Sequence, residues 1–318
     1  MNTALLISII VIAVVMVNII AMFIITMRIC KVQWADLFER ETPDKWGREN
    51  SCPSNAEHSV MFDAGIAWGE ANRDKCIPIE IQNDGLKLKG EYFDFEQDKT
   101  CLFLAGRAES LLYSYYFAQT YANMGYNILV IDPRAHGYSE GKYSSVGIKE
   151  TGDAIAWLDY VHERFNQDHF IIHGICIGSA TAIYTAAREY KYLDAIVLEG
   201  PFISFYNVLI QRMKAIPKPW FPMALEMALT FKKKVGVNIF KEKPINYLPK
   251  VKVPALFLCG KEDASSLPKY FNRLFEACGS EKKKCVWFEH GAHSHLRIAN
   301  VEQYDTAIAT FVKENLNV

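Results

Sequence analysis

Residues 169–182 read His-Phe-Ile-Ile-His-Gly-Ile-Cys-Ile-Gly-Ser-Ala-Thr-Ala. No other stretch limits the fold so tightly. A short apolar run meets a turn with two glycines and one cysteine, and small helix-forming residues follow. That order predicts strand, sharp turn, helix. Gly174 and Gly178 bracket Cys176 in G-x-C-x-G, a cysteine version of the G-x-S-x-G turn that presents a nucleophile. The glycines omit Cβ atoms that would collide where strand and helix cross. The helix N-terminus beneath the cysteine favours a thiolate and an oxyanion. The same five residues also suit a small buried cysteine in a tight turn, and the pattern alone does not choose between the two.

The surroundings repeat one theme. Ile77–Ile81 and Leu86–Phe93 flank Asn83-Asp84-Gly85, a hairpin signal. Apolar strands follow at Thr100–Leu104, Asn127–Ile131, Leu193–Leu198, Ala255–Leu258 and Cys285–Phe288, with helices expected over Ser114–Met124 and Ile148–Phe165. Strands alternating with helices make an α/β fold, a doubly wound, mostly parallel sheet with an antiparallel hairpin at its start. Chemistry in such sheets gathers at the C-terminal ends of the strands, where Gly106, Asp132, Cys176, Asp263 and His293 all fall.

Ala4–Met27 is an uncharged run of 24 residues whose one strongly polar member is Asn18. As a helix it would be about 36 Å long, enough to cross a bilayer. A cleaved signal peptide and a buried core helix are the alternatives. Met1-Asn2-Thr3 lacks the positive start of a signal peptide. The expectation is an uncleaved transmembrane helix over 4–27 and a juxtamembrane connector over 28–75, in which Ala64–Asn72 forms a short helix. Arg28 and Lys31 follow the span, which places the remaining domain, 76–318, in the cytoplasm. The eight cysteines form no C-x-x-C pair and suit reduced, buried thiols. Thirty-five basic against 36 acidic residues give no bias toward nucleic acid.

With these segments in order, the chain resembles the α/β-hydrolase superfamily, in particular the small serine aminopeptidase-like and dienelactone hydrolase-like enzymes. The resemblance rests on Asp84–Gly90, Ala105-Gly106-Arg107, Asp132-Pro-Arg-Ala-His-Gly-Tyr-Ser-Glu-Gly141, the turn at Cys176, and Val253-Pro254 through Asp263 with His293. It covers about residues 76–318. It implies an α/β-hydrolase fold with a small helical cap near 201–250. It also implies a catalytic triad of Cys176, His293 and Asp263, in the chain order this fold uses. Glu262 rivals the acid, and His290 and His295 rival the base. The backbone N–H groups of Ile177 and Arg107 would form the oxyanion hole. Relatives usually carry His-Gly where this chain has Ala105-Gly106, and one fewer residue between the acid and Pro268.

The spacing of His290, His293 and His295 could suggest zinc, but no second ligand cluster accompanies them, and no cofactor or metal is expected. His136 reads as structural. Phe202, Phe205, Tyr206, Trp220 and Phe221, interleaved with Pro217, Pro219 and Pro222, would line an acyl pocket or simply pack the cap. Met223–Phe231 would lie against the membrane. Arg107 would add a positive charge near an anionic substrate or else form a surface salt bridge. Most members of the superfamily carry serine at position 176. Cysteine occurs there in dienelactone hydrolases, polyhydroxyalkanoate synthases and bile-acid acyltransferases. It implies a thioester intermediate and a small acyl-containing substrate: an ester, lactone or thioester. Hydrolysis, acyl transfer through the same triad, and a non-catalytic relative are the three readings the sequence leaves.

Overall fold

The computed structural model describes residues 3–49, 56–215 and 220–316. Pro217 and Pro219 of the cap, and Cys52 of the connector, lie outside the described residues. An eight-stranded sheet carries the order β1-β2-β4-β3-β5-β6-β7-β8. The strands are β1 (Cys76–Asn83), β2 (Leu86–Phe93), β3 (Lys99–Leu104), β4 (Asn127–Ile131), β5 (His169–Ile175), β6 (Leu193–Glu199), β7 (Ala255–Gly260) and β8 (Lys283–Phe288). β1 and β2 form the antiparallel hairpin, closing with Asn83 opposite Leu86. Asp84 and Gly85 take φ of 51° and 73°, the paired positive values that match the twist of a two-residue turn. β3 through β8 run parallel to their neighbours from β4 onward. Their apolar runs are continuous because helices cover both faces.

The helices are α1 (Thr3–Phe38), α2 (Ala56–Ala71), α3 (Leu111–Ala122), α4 (Glu150–Phe165), α5 (Ile177–Ala186), α6 (Phe205–Ala215), α7 (Trp220–Val235), α8 (Pro244–Tyr247), α9 (Phe271–Ala277), α10 (Leu296–Ala299) and α11 (Val301–Asn315). One face of the sheet packs Leu102, Ile172, Ile196 and Phe257 against Trp157 and Leu158 of α4 and Ile183 of α5. The other packs Phe103, Ile171, Val197 and Leu256 against Tyr115 and Tyr121 of α3 and Ile308 and Phe311 of α11. The short helix expected at 64–72 is the second half of α2. Its Gly65 and Gly69 lie one turn apart and let it settle onto α3. A Cβ on Gly65 would stand 3.0 Å from Tyr116 N, and one on Gly69 would stand 2.6 Å from the Tyr115 ring.

α1 combines two kinds of surface in one helix. From Leu5 to Met27 it projects exposed Leu, Ile, Val and Met side chains, and it is long and apolar enough to cross a membrane. Beyond Met27 it turns into a packing element. Cys30, Trp34, Leu37 and Phe38 are buried in one cluster with Phe205, Met227 and Phe231 of the cap. Thr26 Oγ1 donates to Glu226 Oε1 at 2.9 Å, the Cys30 thiol to Glu226 Oε2 at 3.2 Å, and the rings of Phe38 and Phe231 meet edge-on at 5.0 Å. Trp34, Leu37 and Phe38 are at most 2% exposed, and full burial of such side chains is worth roughly 2 kcal/mol each.

This seam corrects the expectation for Met223–Phe231. Met223, Ala224, Met227, Ala228 and Phe231 are buried, turned toward α1 rather than toward a membrane. The apolar groups that α7 does leave exposed are Trp220, Phe221 and Leu229.

Candidate active site

β5 ends at Ile175, α5 begins at Ile177, and Cys176 makes the whole turn between them. Its φ of 56° and ψ of −112° lie in a sparsely populated region for a side-chain-bearing residue. Surrounding bonds hold it there. Its N–H donates to Glu199 O at 2.9 Å, and Ser179 Oγ sits 2.6 Å from Gly174 O and 2.8 Å from Glu199 O. The two glycines are required by contact. A Cβ on Gly174 would stand 2.3 Å from Gly178 O, and one on Gly178 only 1.9 Å from Leu104 O.

The loops after β7 and β8 bring Asp263 and His293 together. His293 Nδ1 donates to Asp263 Oδ2 at 2.8 Å. The other carboxylate oxygen, Oδ1, accepts the N–H groups of Ser265 at 2.8 Å and Ser266 at 2.6 Å. Gly200, at φ 58°, leaves room for the ring, since a Cβ there would stand 2.9 Å from His293 Cε1. The rivals lie elsewhere. Glu262 accepts Gly291 N–H at 3.0 Å and faces exposed His290 at 3.4 Å. His295 is buried against His58 of α2, ring centroids 3.9 Å apart. Burial opposes a charged His293 ring, but the Cys176 sulfur and the Asp263 carboxylate outweigh it and hold its pKa well above the ordinary value. Among the described residues no group of three His, Cys, Asp or Glu side chains is arranged to hold a metal.

Cys176 and His293 open on one cavity of about 200 Å³. Leu37 of α1 and Phe205, Val208 and Leu209 of α6 form its apolar wall, while Arg107, Glu109 and Arg212 bring charge to it. Ile177 lines it beside Arg107, so both segments expected to supply oxyanion donors border the same space. Of the five aromatic residues expected around an acyl pocket, Phe205 lines this cavity. Phe202 packs behind it at 5.8 Å, Tyr206 packs on Phe240 at 4.7 Å, and Trp220 and Phe221 stand exposed on α7. Leu37, His58, Glu109 and Arg212 are lining residues that the sequence did not single out. Leu37 and His58 reach the cavity from segments that carry no local motif.

The Asp132–Gly141 segment is scaffold. Asp132 accepts the N–H groups of Leu111 and Tyr138, each at 2.9 Å, and Arg48 Nε at 2.9 Å. Arg134 forms a two-point pair with Asp153, at 2.7 and 2.8 Å. Buried His136, pushed down to about 4 by desolvation, is neutral. Its Nδ1 donates to Arg134 O at 2.9 Å and its Nε2 accepts Ala108 N–H at 3.2 Å, which fixes the loop that carries Arg107.

A chain of buried polar groups joins α3, β5, α11 and β6. Tyr121 OH meets His173 Nδ1 at 3.1 Å, His173 Nε2 meets Tyr304 OH at 3.0 Å, and Tyr304 OH donates to Glu199 Oε2 at 2.5 Å. Burial pushes the Glu199 carboxyl up to about 7. A carboxyl raised this way gives its stabilisation in full below the unfolded value near 4.5 and loses it as pH climbs through 7. The loss amounts to about 3 kcal/mol. Urea unfolding between pH 4.5 and 8 should therefore show wild type losing more stability with rising pH than Glu199→Gln. Parallel pH profiles for the two proteins would remove Glu199 as the cause.

Comparisons with known proteins agree with this architecture. A family model described as alpha/beta hydrolase fold matches residues 100–229. The uncharacterized protein YqkD of Bacillus subtilis is 26% identical over 237 residues, covering 73% of this chain and 77% of that protein. The uncharacterized membrane protein YNL320W of Saccharomyces cerevisiae is 25% identical over 244 residues, 72% of this chain and 80% of that one. Among solved structures, the Pyrococcus furiosus esterase Pf2001 superposes with a TM-score of 0.64 at 22% identity, covering 77% of this chain and 95% of that one. The strand order, the strained turn between β5 and α5, the family model matching residues 100–229 and the esterase superposition agree, and the chain has the α/β-hydrolase fold.

Proposed function

We propose that this protein is a membrane-anchored hydrolase of acyl esters, lactones or thioesters that works through Cys176, His293 and Asp263. The observation that carries the reading is the 2.8 Å bond from His293 Nδ1 to Asp263, with His293 and the strained Cys176 on one cavity. Asp263 holds the ring so that Nε2 is the basic nitrogen. His293 takes the thiol proton and Sγ adds to the carbonyl carbon of the substrate. The N–H groups of Ile177 and Arg107 receive the resulting oxyanion. Collapse breaks the bond to the alcohol or thiol half, which leaves with the proton from His293. The acyl group stays as a thioester on Sγ. Water, deprotonated by His293, then adds to the thioester, and the acid departs as the cysteine regains its proton. The esterase fold neighbour supports this class of chemistry.

The exposed apolar half of α1 and the likeness to a yeast membrane protein support the anchor. In this reading α1 spans the bilayer with Arg28 and Lys31 on the cytoplasmic side, and the catalytic domain stands there too. Trp220 and Phe221 belong at the lipid–water boundary, where aromatic side chains gather.

The test is to expose the full chain in detergent to p-nitrophenyl acyl esters of graded chain length and weigh it intact. A mass gain equal to the acyl group, mapped to Cys176 by peptide sequencing, is the expected result. Turnover with no acyl group on Cys176, or no turnover at any chain length, would overturn the reading.

A further inference from the structure

The charges in the cavity are unusual for a site that takes a neutral ester. Arg107, at the end of β3, makes no hydrogen bond or ion pair among the described residues, yet it lines the same space as Cys176. Arg212 of α6 lines it from the cap side. Its one ion pair among the described residues is a 3.8 Å contact to Asp36, whose side chain is 59% exposed. Burial, and then the neighbouring charge of Arg107, push the Arg212 pKa below its usual value, so the two cations feel one another. The third charge, Glu109, spends its carboxylate on its own loop, accepting Gly106 N–H at 2.7 Å; it feels the Arg107 charge but forms no ion pair with it among the described residues, and burial raises its pKa, which weakens it as a counter-ion. Two under-paired guanidiniums facing a small, half-enclosed cavity are costly unless an anion joins them. On the opposite wall stand Leu37, Phe205, Val208 and Leu209, an apolar surface for a hydrocarbon chain.

Resting on the hydrolase reading above, we infer that the substrate is an acyl compound whose non-acyl half carries a phosphate, held between Arg107 and Arg212 while the acyl chain lies along Leu37 and α6. Guanidinium groups suit phosphate because their planar N–H pairs match two of its oxygens. The leaving half therefore departs toward the arginines and the acyl chain stays with the apolar wall. Two sources share this chemistry, a single-chain phospholipid in the bilayer and a water-soluble acyl thioester bearing phosphates.

The test uses the full chain in a neutral detergent and has a binding arm and a turnover arm. In the first, thermal unfolding is followed with dodecyl phosphate, with inorganic phosphate alone and with added dodecyl maltoside. Dodecyl phosphate should raise Tm by about 3 °C or more at saturation, and the other two by less than half as much. Arg212→Gln and Arg107→Gln should each erase most of that shift; two variants are used so that a folding defect in one leaves the other to report. Asp36→Asn should preserve it. In the second arm, kcat/KM is compared for 1-acyl lysophosphatidic acid, a phosphate-bearing acyl thioester and a neutral monoacylglycerol of equal chain length. A phosphate-bearing substrate should lead by tenfold or more, and Arg212→Gln should cut that lead by about tenfold, the effect of one charge-assisted contact. Which of the two phosphate compounds leads identifies the source. Equal Tm shifts from phosphate and neutral amphiphiles, or an unchanged preference in both arginine variants, would overturn the inference while leaving the hydrolase reading intact. Arginine-dependent binding with no turnover of any ester would overturn the hydrolase reading and, with it, the substrate assignment, leaving an anion-binding cavity.

Discussion

Replacing Cys176 by alanine should abolish acyl ester turnover, lowering kcat/KM by about 10³-fold or more, as loss of a nucleophile does in related mechanisms. The fold should tolerate the change. The turn is held by the Cys176 N–H to Glu199 O and by Ser179, neither of which involves the sulfur. Matched circular dichroism and Tm would establish that the loss is chemical. His293→Ala should cost a similar factor, and the double variant little more, because the two groups act as a unit. Cys176→Ser should fall between wild type and alanine, since its hydroxyl lacks the acidity that lets a thiol pair with His293. Hydrolysis by Cys176→Ala above a tenth of wild type would sink the triad.

The second large effect is on stability, at a glycine. In Gly178→Ala the new methyl would stand 1.9 Å from Leu104 O and 2.6 Å from Leu104 C, both backbone atoms of a buried central strand. Neither can step aside without parting β3 from α5. Overpacking of this kind costs about 3 kcal/mol or more, which predicts a fall in Tm of about 6 °C or more for a domain of this size. Gly85→Ala is the control. It sits at φ 73° with nothing within 4 Å of its Cβ position, so it bears backbone strain alone, worth about 1 kcal/mol. Equal Tm losses for the two variants would show that the close approach at Gly178 is relieved by an easy shift of the helix.

What could be read from the sequence, and what could not, divides along one physical line. The strands and the turn at Cys176 announce themselves through neighbours in the chain: apolar runs, glycines at fixed spacing and Asn83-Asp84-Gly85. The pairing of His293 with Asp263 follows from chain order, because a doubly wound sheet brings strand ends together. Leu37 and His58 were silent. Each reaches the cavity from a segment whose composition looks like a linker, and only the packing of α1 and α2 onto the domain reveals them. Arg48 is similar: it reaches Asp132 at 2.9 Å and Glu91 at 2.7 Å across a sequence gap that no local pattern spans. The apolar face of α7 was legible as apolar, but not what covers it. A membrane and a neighbouring helix ask for the same residues.

The continuity of α1 fixes a height as well as a place. With the helix spanning the bilayer as proposed, Met27 ends its uncharged apolar run and Leu37 lines the cavity ten positions later, about 15 Å farther along the axis. No flexible leash separates the two parts of α1; in that reading the same rod would pierce the membrane and wall the cavity that holds the cysteine. A domain on a loose tether sweeps a volume and meets whatever diffuses through it. One mounted on a rod works a single stratum, the layer of headgroups at its foot, and its selectivity for molecules that live in that layer begins before any of them touches the site.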